Sequence, residues 1–339
     1  MGSQPAGSGV ALDKVPLGRA GVEVSRMGFG GAPIGGLFRA VDDDAARRAL
    51  AAAWDCGIRY FDTAPHYGAG RSERRVGEFL RARPRDQWAI STKVGRLIEA
   101  ARPGAAEDFG FVDEQPTTRV FDFSESGVRR SLETSLERLG VERVDVALLH
   151  DPDEHLDDAI AHAWPALTKL REEGVVRSVG AGMNQTPALT RLVQETDIDV
   201  VLLAGRYTLL DQGALDDLFP ACSRRATSVV VGGVFNSGIL ADPFNQTLFD
   251  YQPASPRIRA RALRIAQVCA DHGVPIAAAA LQFPLAHPTV TSIVVGARSP
   301  AEVRENCELL NTPIPSELWT RLRAASLLRP DAPVPGDRD

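Results

Sequence analysis

Unbroken apolar runs of strand length, each followed by a helical stretch, recur along the whole of this 339-residue sequence. VDVALL, DVVLLA, SVVVGG and TSIVVG are examples. A strand that is apolar at every position buries both faces, as in a parallel sheet covered by helices. The pattern predicts strands ending at about Gly30, Phe61, Ser91, Leu149, Ala181, Leu203, Gly232 and Val295, after a hairpin over roughly 14–24 that turns at Gly18 to Gly21. The helices between them carry start and stop signals. Acidic residues open DDDAARRALAAAWDCG and Gly57 ends it, whereas Ser124 caps SESGVRRSLETSLERLG and Gly140 closes it. Gly273 ends RIRARALRIAQVCADHG, and Pro165 is expected to kink or divide the helix that stops at Gly174.

Eight strand–helix units with no break in composition predict an α/β chain folded as a single (β/α)8 TIM barrel over 14–328, with an N-terminal β-hairpin. A doubly wound open sheet is the rival, because local pattern does not show closure. Residues 1–13 are expected to form a flexible N-terminal tail and 329–339 a C-terminal tail. Two long loops interrupt the spacing, 97–122 after the third strand and 234–255 after the seventh. Long loops on one rim of a barrel usually cover a binding site.

Charge narrows the function. With 38 basic and 44 acidic residues, a formal net charge of -6, the chain has no electrostatic footprint for nucleic acid or an anionic membrane. No apolar stretch approaches the roughly 20 residues that span a bilayer. The start has neither a basic region nor an apolar one of the secretory kind, so a cytoplasmic location is expected, as a monomer or small homo-oligomer. Cys56, Cys222, Cys269 and Cys307 form no CxxC pair and are expected to be buried free thiols. No HExxH or histidine cluster offers a metal site.

In a parallel barrel the active site lies at the carboxyl ends of the strands. There the second strand delivers Asp62, the third Lys93, and the fourth His150 with Asp151; Tyr67 follows on the loop after the second, and Asn184 follows the fifth. Singly, such residues are usually caps, solvated charges or packing groups. Four of them at matching strand ends make a site the better reading. A phenol, with a reference pKa of about 10, exchanges protons poorly near neutrality, and a nearby ammonium lowers that value. Asp62 can hold Lys93 charged and in place, and His150 can hydrogen-bond a substrate oxygen. The set suits proton transfer at an alcohol or carbonyl oxygen.

FDTAPHYGAGRSE, STKVGR and LLHD, in this order, resemble the aldo-keto reductase superfamily, and the likeness runs from about 14 to 328. The resemblance implies a barrel that binds a nicotinamide cofactor, with a tetrad of Asp62, Tyr67, Lys93 and His150. FDFSESGVRRSLETSLERLG, VGAGMNQ, LLAGRYTLLDQ and GGVFNSGIL are similar to the branch holding D-threo-aldose 1-dehydrogenase (L-fucose dehydrogenase) and pyridoxal 4-dehydrogenase, which act on cyclic hemiacetals. The chain departs from the wider pattern after the fifth strand, where Gly182 takes the place of a common Ser beside Asn184. Around Gly232 and Gly233 it also lacks an aromatic residue often found after the seventh, a role Tyr207 and Phe235 are expected to fill in part.

GFGGAPIGG is no dinucleotide fingerprint of the open-sheet kind, since Pro33 stands where the last glycine belongs; GAGMNQ fails likewise at Gln185. The resemblance instead implies close approach at Gly30 and Gly31. It places the pyrophosphate on Asn236, Ser237, Gly238 and Leu240 and on Gly296 and Arg298, and the adenine at Glu305 and Asn306. The helix opened by Ser299 and Pro300 can receive an anion at its amino end, although an ordinary capped helix reads the same way. Glu302 and Gly296 occupy positions where NADP-preferring members often carry basic residues, so NAD is expected over NADP; Arg298 is the counter-argument.

The expected activity is oxidation of the anomeric carbon of an aldose of the L-fucose or D-arabinose type, or of pyridoxal hemiacetal, to a lactone, with Tyr67 as general acid and base. His66, Phe109 and Phe111 are candidate substrate contacts, with Phe121 as a further wall, while Trp88 and Trp164 are expected to pack. Two alternatives stay open: a general NADPH-dependent aldehyde or ketone reductase, and a non-catalytic nicotinamide-binding regulatory subunit such as the potassium-channel β-subunits that share this barrel.

Overall fold

The eight apolar runs close on themselves. In the computed structural model, which describes residues 13–101, 110–112 and 117–337, they form one closed, all-parallel barrel. The hairpin comes first, as β1 (Lys14–Leu17) and β2 (Val22–Ser25). The barrel begins with β3 (Met27–Gly30), β4 (Tyr60–Asp62) and β5 (Ala89–Val94). Next, β6 (Arg96–Ala100) and β7 (Thr117–Phe121) make an antiparallel hairpin on the rim. The barrel resumes with β8 (Val144–His150), β9 (Val176–Met183), β10 (Val200–Ala204) and β11 (Ser228–Gly232). A second rim hairpin, β12 (Leu248–Phe249) with β13 (Gln252–Pro253), precedes the closing strand β14 (Val290–Gly296). Each expected strand end lies within a few residues of its position, and both long loops carry hairpins.

The helices α1 (Asp43–Asp55), α2 (Arg71–Arg81) and α3 (Glu125–Leu139) follow the first three barrel strands. Asp42 and Ser124 cap α1 and α3, each side chain accepting an N–H three residues on, and Gly140 closes α3 in the left-handed conformation. The segment around Pro165 is divided: a short α4 (Leu156–Asp158), one π turn over Ala159–Ala163, and then α5 (Trp164–Glu172). Proline has no N–H to donate back one turn, and a wider turn accommodates the gap. The ring is completed by α6 (Thr186–Glu195), α7 (Leu218–Arg225), α8 (Pro256–Asp271), α9 (Ile276–Leu285), α10 (Pro300–Leu310) and α11 (Ser316–Ala324).

Two apolar layers result. The larger lies between strands and helices and includes Trp88 and Trp164. The smaller fills the barrel interior with Tyr60, Ala89, Val146, Leu148, Val200, Leu202, Val230 and Val294. Leu17, Val22 and Val24 of the N-terminal hairpin join this inner layer, so the amino-terminal end of the barrel is plugged. The C-terminal residues through 337 pack on the barrel, with Ala332 and Val334 buried and Arg329 paired with Asp216. All four cysteines are free; Cys222 and Cys269 are buried as expected, whereas Cys56 and Cys307 are only half-buried. Among the described residues no helix is long and apolar enough to cross a membrane, and no group of three or more His, Cys, Asp or Glu could hold a metal ion.

Candidate active site

The open end of the barrel holds a cleft of about 690 Å³. Asp62 ends β4, Lys93 lies one residue from the end of β5 and His150 ends β8, so the three stand together at the carboxyl ends of neighbouring parallel strands. Lys93 Nζ donates to Asp62 Oδ2 at 2.8 Å and to the Thr63 carbonyl at 2.9 Å. Both side chains are buried, 2% and 4% exposed, and a buried ion pair this close holds only because each partner is satisfied. The Tyr67 ring centroid lies 4.7 Å from Lys93 Nζ, and the His150 ring stands edge-on to it at 6.1 Å. The four expected tetrad residues therefore converge.

Burial pulls the Lys93 ammonium down, but Asp62 and Tyr67 outweigh it and the net shift is upward. For Tyr67 the balance runs against the simple expectation. Burial drives the phenol up, Lys93 lowers it, and it settles at about 12. The His150 imidazole is pushed well below its usual range by burial, then by Lys93, and so is neutral. His66 is held at about 2 by burial, then Arg96 and Arg119. Its Nδ1 accepts the Arg119 Nε–H at 3.1 Å, so the single proton of this neutral ring sits on Nε2.

The glycine-rich first loop shapes the tetrad. A Cβ on Gly35 would lie 2.9 Å from the Tyr67 carbonyl carbon and oxygen, and one on Gly31 would lie 2.4 Å from Ser72 Oγ and 2.9 Å from the Asp62 carbonyl. Only glycine lets the two loops pack backbone to backbone here. Behind them, buried Glu73 of α2 accepts from Thr92 on β5 and from Arg138 on α3, which locks the helix after the Tyr67 loop.

The cleft has an aromatic wall and a charged edge. Phe111 lies 6.2 Å from the Tyr67 ring and 5.3 Å from His66, and Phe121 also lines the space. Phe109 lies outside the described residues. Next to Phe121, whose ring lies 5.3 Å from its guanidinium, Arg96 meets Asp151 Oδ2 through Nη1 at 3.1 Å. Asp151 sits at φ 45°, a left-handed conformation that a non-glycine residue keeps only where its surroundings enforce it. The sequence showed Asp151 at its strand end but gave no signal for Arg96 or Arg119; Arg119 comes from the second strand of an inserted hairpin.

The residues expected to hold a nucleotide divide. Asn184 and Gly182 line the cleft beside Met183. In the barrel order, β11 and β14 stand on the side of β3 away from β4, so the loops they feed flank Gly30. Asn236 and Ser237, at φ 45° and 59°, and Gly238 at 99° form a left-handed turn after β11. Asn236 Nδ2 donates to the Gly205 carbonyl, while its buried Oδ1 has no partner among the described residues. Ser299 caps α10, and Glu302 Oε2 accepts at 2.8 Å the N–H of Arg298, the residue before the cap, at the expected anion end. Arg298 itself reaches back to the Leu37 carbonyl. Glu305 is exposed and Asn306 half-buried on α10, and Gly296, at the end of β14, is exposed. An orphaned amide oxygen, a run of left-handed backbone and a helix amino end along one rim fit an extended dinucleotide.

Two expected contacts are corrected. Tyr207 is fully buried against Phe219 at 4.6 Å and Phe283 at 5.0 Å, in the layer between barrel and helices. The chain beyond β10 turns outward, so this ring packs rather than facing the cleft. The Leu240 side chain is also fully buried in that layer, which leaves at most its backbone for a ligand. Phe235 is half-buried against the same core.

A barrel with this tetrad defines the class, and the sequence comparisons agree. The aldo/keto reductase family model matches residues 26–326. A Pseudomonas D-threo-aldose 1-dehydrogenase is 46% identical over 91% of this chain and 96% of its own length. A Microbacterium luteolum pyridoxal 4-dehydrogenase is 41% identical over 94% and 98%. Among solved structures, the holo form of a Bacillus halodurans aldo-keto reductase superposes with a TM-score of 0.74 at 26% identity, covering 96% of this chain and 99% of that one. The chain belongs to the aldo/keto reductase family. It is an oxidoreductase of a family that uses nicotinamide cofactors and acts on small molecules.

Proposed function

We propose that this enzyme oxidises the anomeric carbon of a cyclic hemiacetal, an aldose of the L-fucose or D-arabinose type or the pyridoxal hemiacetal, to a lactone. The observation that carries the reading is a buried Asp62–Lys93 pair set against Tyr67 at the floor of a cleft with one aromatic wall and one charged edge. Tyr67, as phenolate, takes the hydroxyl proton, and Lys93 stabilises the phenolate. Neutral His150 hydrogen-bonds the same oxygen without competing for the proton. The His66 Nε2–H and the Arg96–Asp151 pair meet further hydroxyls, while Phe111 and Phe121 cover the apolar face of the ring. Bound oxidised nicotinamide supplies the hydride acceptor.

Asn184, Asn236, Ser237, Gly238, Arg298, Glu305 and Asn306 are the residues proposed to hold that cofactor. NAD is the preferred form, because the Glu302 carboxylate already occupies the amino end of α10 and repels a 2′-phosphate there. The test is NADH formation against L-fucose, D-arabinose, L-galactose and pyridoxal. Turnover of at least one is expected, and Tyr67→Phe should lose most of it while still binding NAD. Failure with all four, or full activity in Tyr67→Phe, overturns the reading.

A further inference from the structure

Below the tetrad the barrel interior holds a second polar layer. Side chains two residues apart on a strand share a face, so Tyr60 sits under Asp62 on β4 and Ser91 under Lys93 on β5. Asp62 and Ser91 are also register partners on neighbouring strands. Ser91 Oγ lies 2.7 Å from Asp62 Oδ1, and the Tyr60 hydroxyl lies 3.0 Å from Ser91 Oγ. Gly28 on β3 makes the room, since a Cβ there would stand 2.6 Å from the Tyr60 ring. Beneath it Leu17, Val22 and Val24 of the plug are fully buried.

The direction of this chain follows from counting protons. An ionised carboxylate only accepts, so the one Ser91 proton points at Asp62 Oδ1. The Tyr60 hydroxyl, which has no other partner among the described residues, must then donate to Ser91 Oγ. Burial raises Tyr60 far above its ordinary range, which keeps it protonated as a donor. With Lys93 on Oδ2, both Asp62 oxygens are occupied.

We propose that Tyr60 and Ser91 form a relay of two hydrogen bonds that fixes Asp62 and tempers its charge, making both positioning residues for Tyr67. The proposal rests on the reading of Tyr67 and Lys93 as the proton-transfer pair. Its physical basis is that Asp62 raises the Tyr67 phenol while Lys93 lowers it. Two aligned O–H dipoles under Oδ1 offset part of that negative potential. Without them Asp62 draws more of the ammonium's field, and the phenol becomes harder to ionise.

The test uses the full-length enzyme with Ser91→Ala, Ser91→Cys and Tyr60→Phe, the last removing one oxygen and keeping the ring. Melting curves identify variants that fold. Ser91→Ala should lower kcat about tenfold with KM within twofold, and move the midpoint of the kcat pH profile upward by half a unit or more. Tyr60→Phe should shift the same midpoint less, and Ser91→Cys should restore part of the rate. A merely structural role lowers the melting temperature and leaves the midpoint in place, which overturns the proposal. Unchanged kcat and midpoint in both Ser91→Ala and Tyr60→Phe also overturn it. Tyr67→Phe, measured alongside, separates the cases: if it is inactive while the relay variants behave as wild type, only the relay fails, and if it keeps turnover, the tetrad reading fails first.

Discussion

Removing Asp62 should damage stability, and removing its partner as well should repair it. Asp62 and Lys93 are 2.8 Å apart and almost wholly buried. Asp62→Asn leaves an ammonium in the barrel with only the Thr63 carbonyl and neutral neighbours. Stranding one member of a buried pair costs about 3–5 kcal/mol. At an unfolding entropy of roughly 2.1 cal/mol/K per residue, a chain of 339 residues loses about 0.7 kcal/mol of stability per degree near its midpoint, so Tm should fall by ~4–7 °C. The sign of the pH dependence is specific. Without its counter-ion, buried Lys93 binds its proton less tightly folded than unfolded, where the reference is about 10.4. The unfolded state then holds more protons, so the deficit shrinks as pH rises from 7 towards 9. Lys93→Met strands the carboxylate instead, and its deficit shrinks on acidification. Asp62→Asn combined with Lys93→Met leaves no charge at this pair of positions and should recover most of the lost Tm while staying inactive. Melting of all four proteins across pH is the assay. A double variant that loses the sum of the two single losses would refute the coupling and the energetic reading of the pair.

The remaining predictions concern rate and specificity. With Tyr67 as the proposed phenolate base and burial setting it near 12, oxidation should accelerate with pH from 6 to 9; a flat or falling kcat/KM refutes its role as base. Wild-type enzyme should show a higher kcat/KM with NAD than with NADP, and Glu302→Arg should move the ratio at least tenfold towards NADP, about 1.4 kcal/mol, as read by steady-state kinetics. A wild-type preference for NADP contradicts the assignment. Gly35→Ala must push a methyl group against the Tyr67 backbone at 2.9 Å and should cut kcat tenfold or more, whereas Gly182→Ala meets its neighbours at ordinary contact, 3.5 Å, and should leave Tm unchanged. Wild-type kcat in Gly35→Ala would show that the Tyr67 loop tolerates displacement.

What the sequence could convey follows from how far each signal reaches. Strand ends are local, so the apolar runs located Asp62, Lys93 and His150 without the fold. Caps are local too, and Ser124 and Ser299 behave as read. Direction beyond a strand end is not local: Tyr207 stands three residues past β10, close to the cleft rim in sequence, yet the outward turn packs its ring against Phe219. Contacts across an inserted hairpin are equally hidden, since Arg119 reaches His66 from 53 residues away. The pKa of Tyr67 shows the same division. A neighbouring ammonium was legible from motif order, but the opposing desolvation depends on how tightly the loops pack over the phenol.

Chemistry and selectivity occupy different parts of this molecule, and that division bears on how its relatives can differ. The proton-transfer groups other than Tyr67 sit on strands whose positions are fixed on two sides by ladder hydrogen bonds, and Tyr67 is pinned by glycines that leave its loop no slack. The groups proposed to meet the rest of a substrate are placed otherwise. Phe121 and Arg96 are on the β6–β7 hairpin, Tyr251 lies in the β12–β13 turn at φ 61°, and Asp151 holds a left-handed loop conformation, and all four line the cleft. Rim hairpins can change residues without disturbing barrel closure, because none of their backbone hydrogen bonds belongs to the barrel ladder. Relatives with 46% and 41% identity, one named for an aldose and the other for pyridoxal, are compatible with that arrangement. On this view, exchanging rim residues such as Arg96, Asp151 and Phe121 should alter KM and the ranking of substrates well before it alters the pH dependence of kcat, which belongs to Tyr67 and the strand-end groups around it.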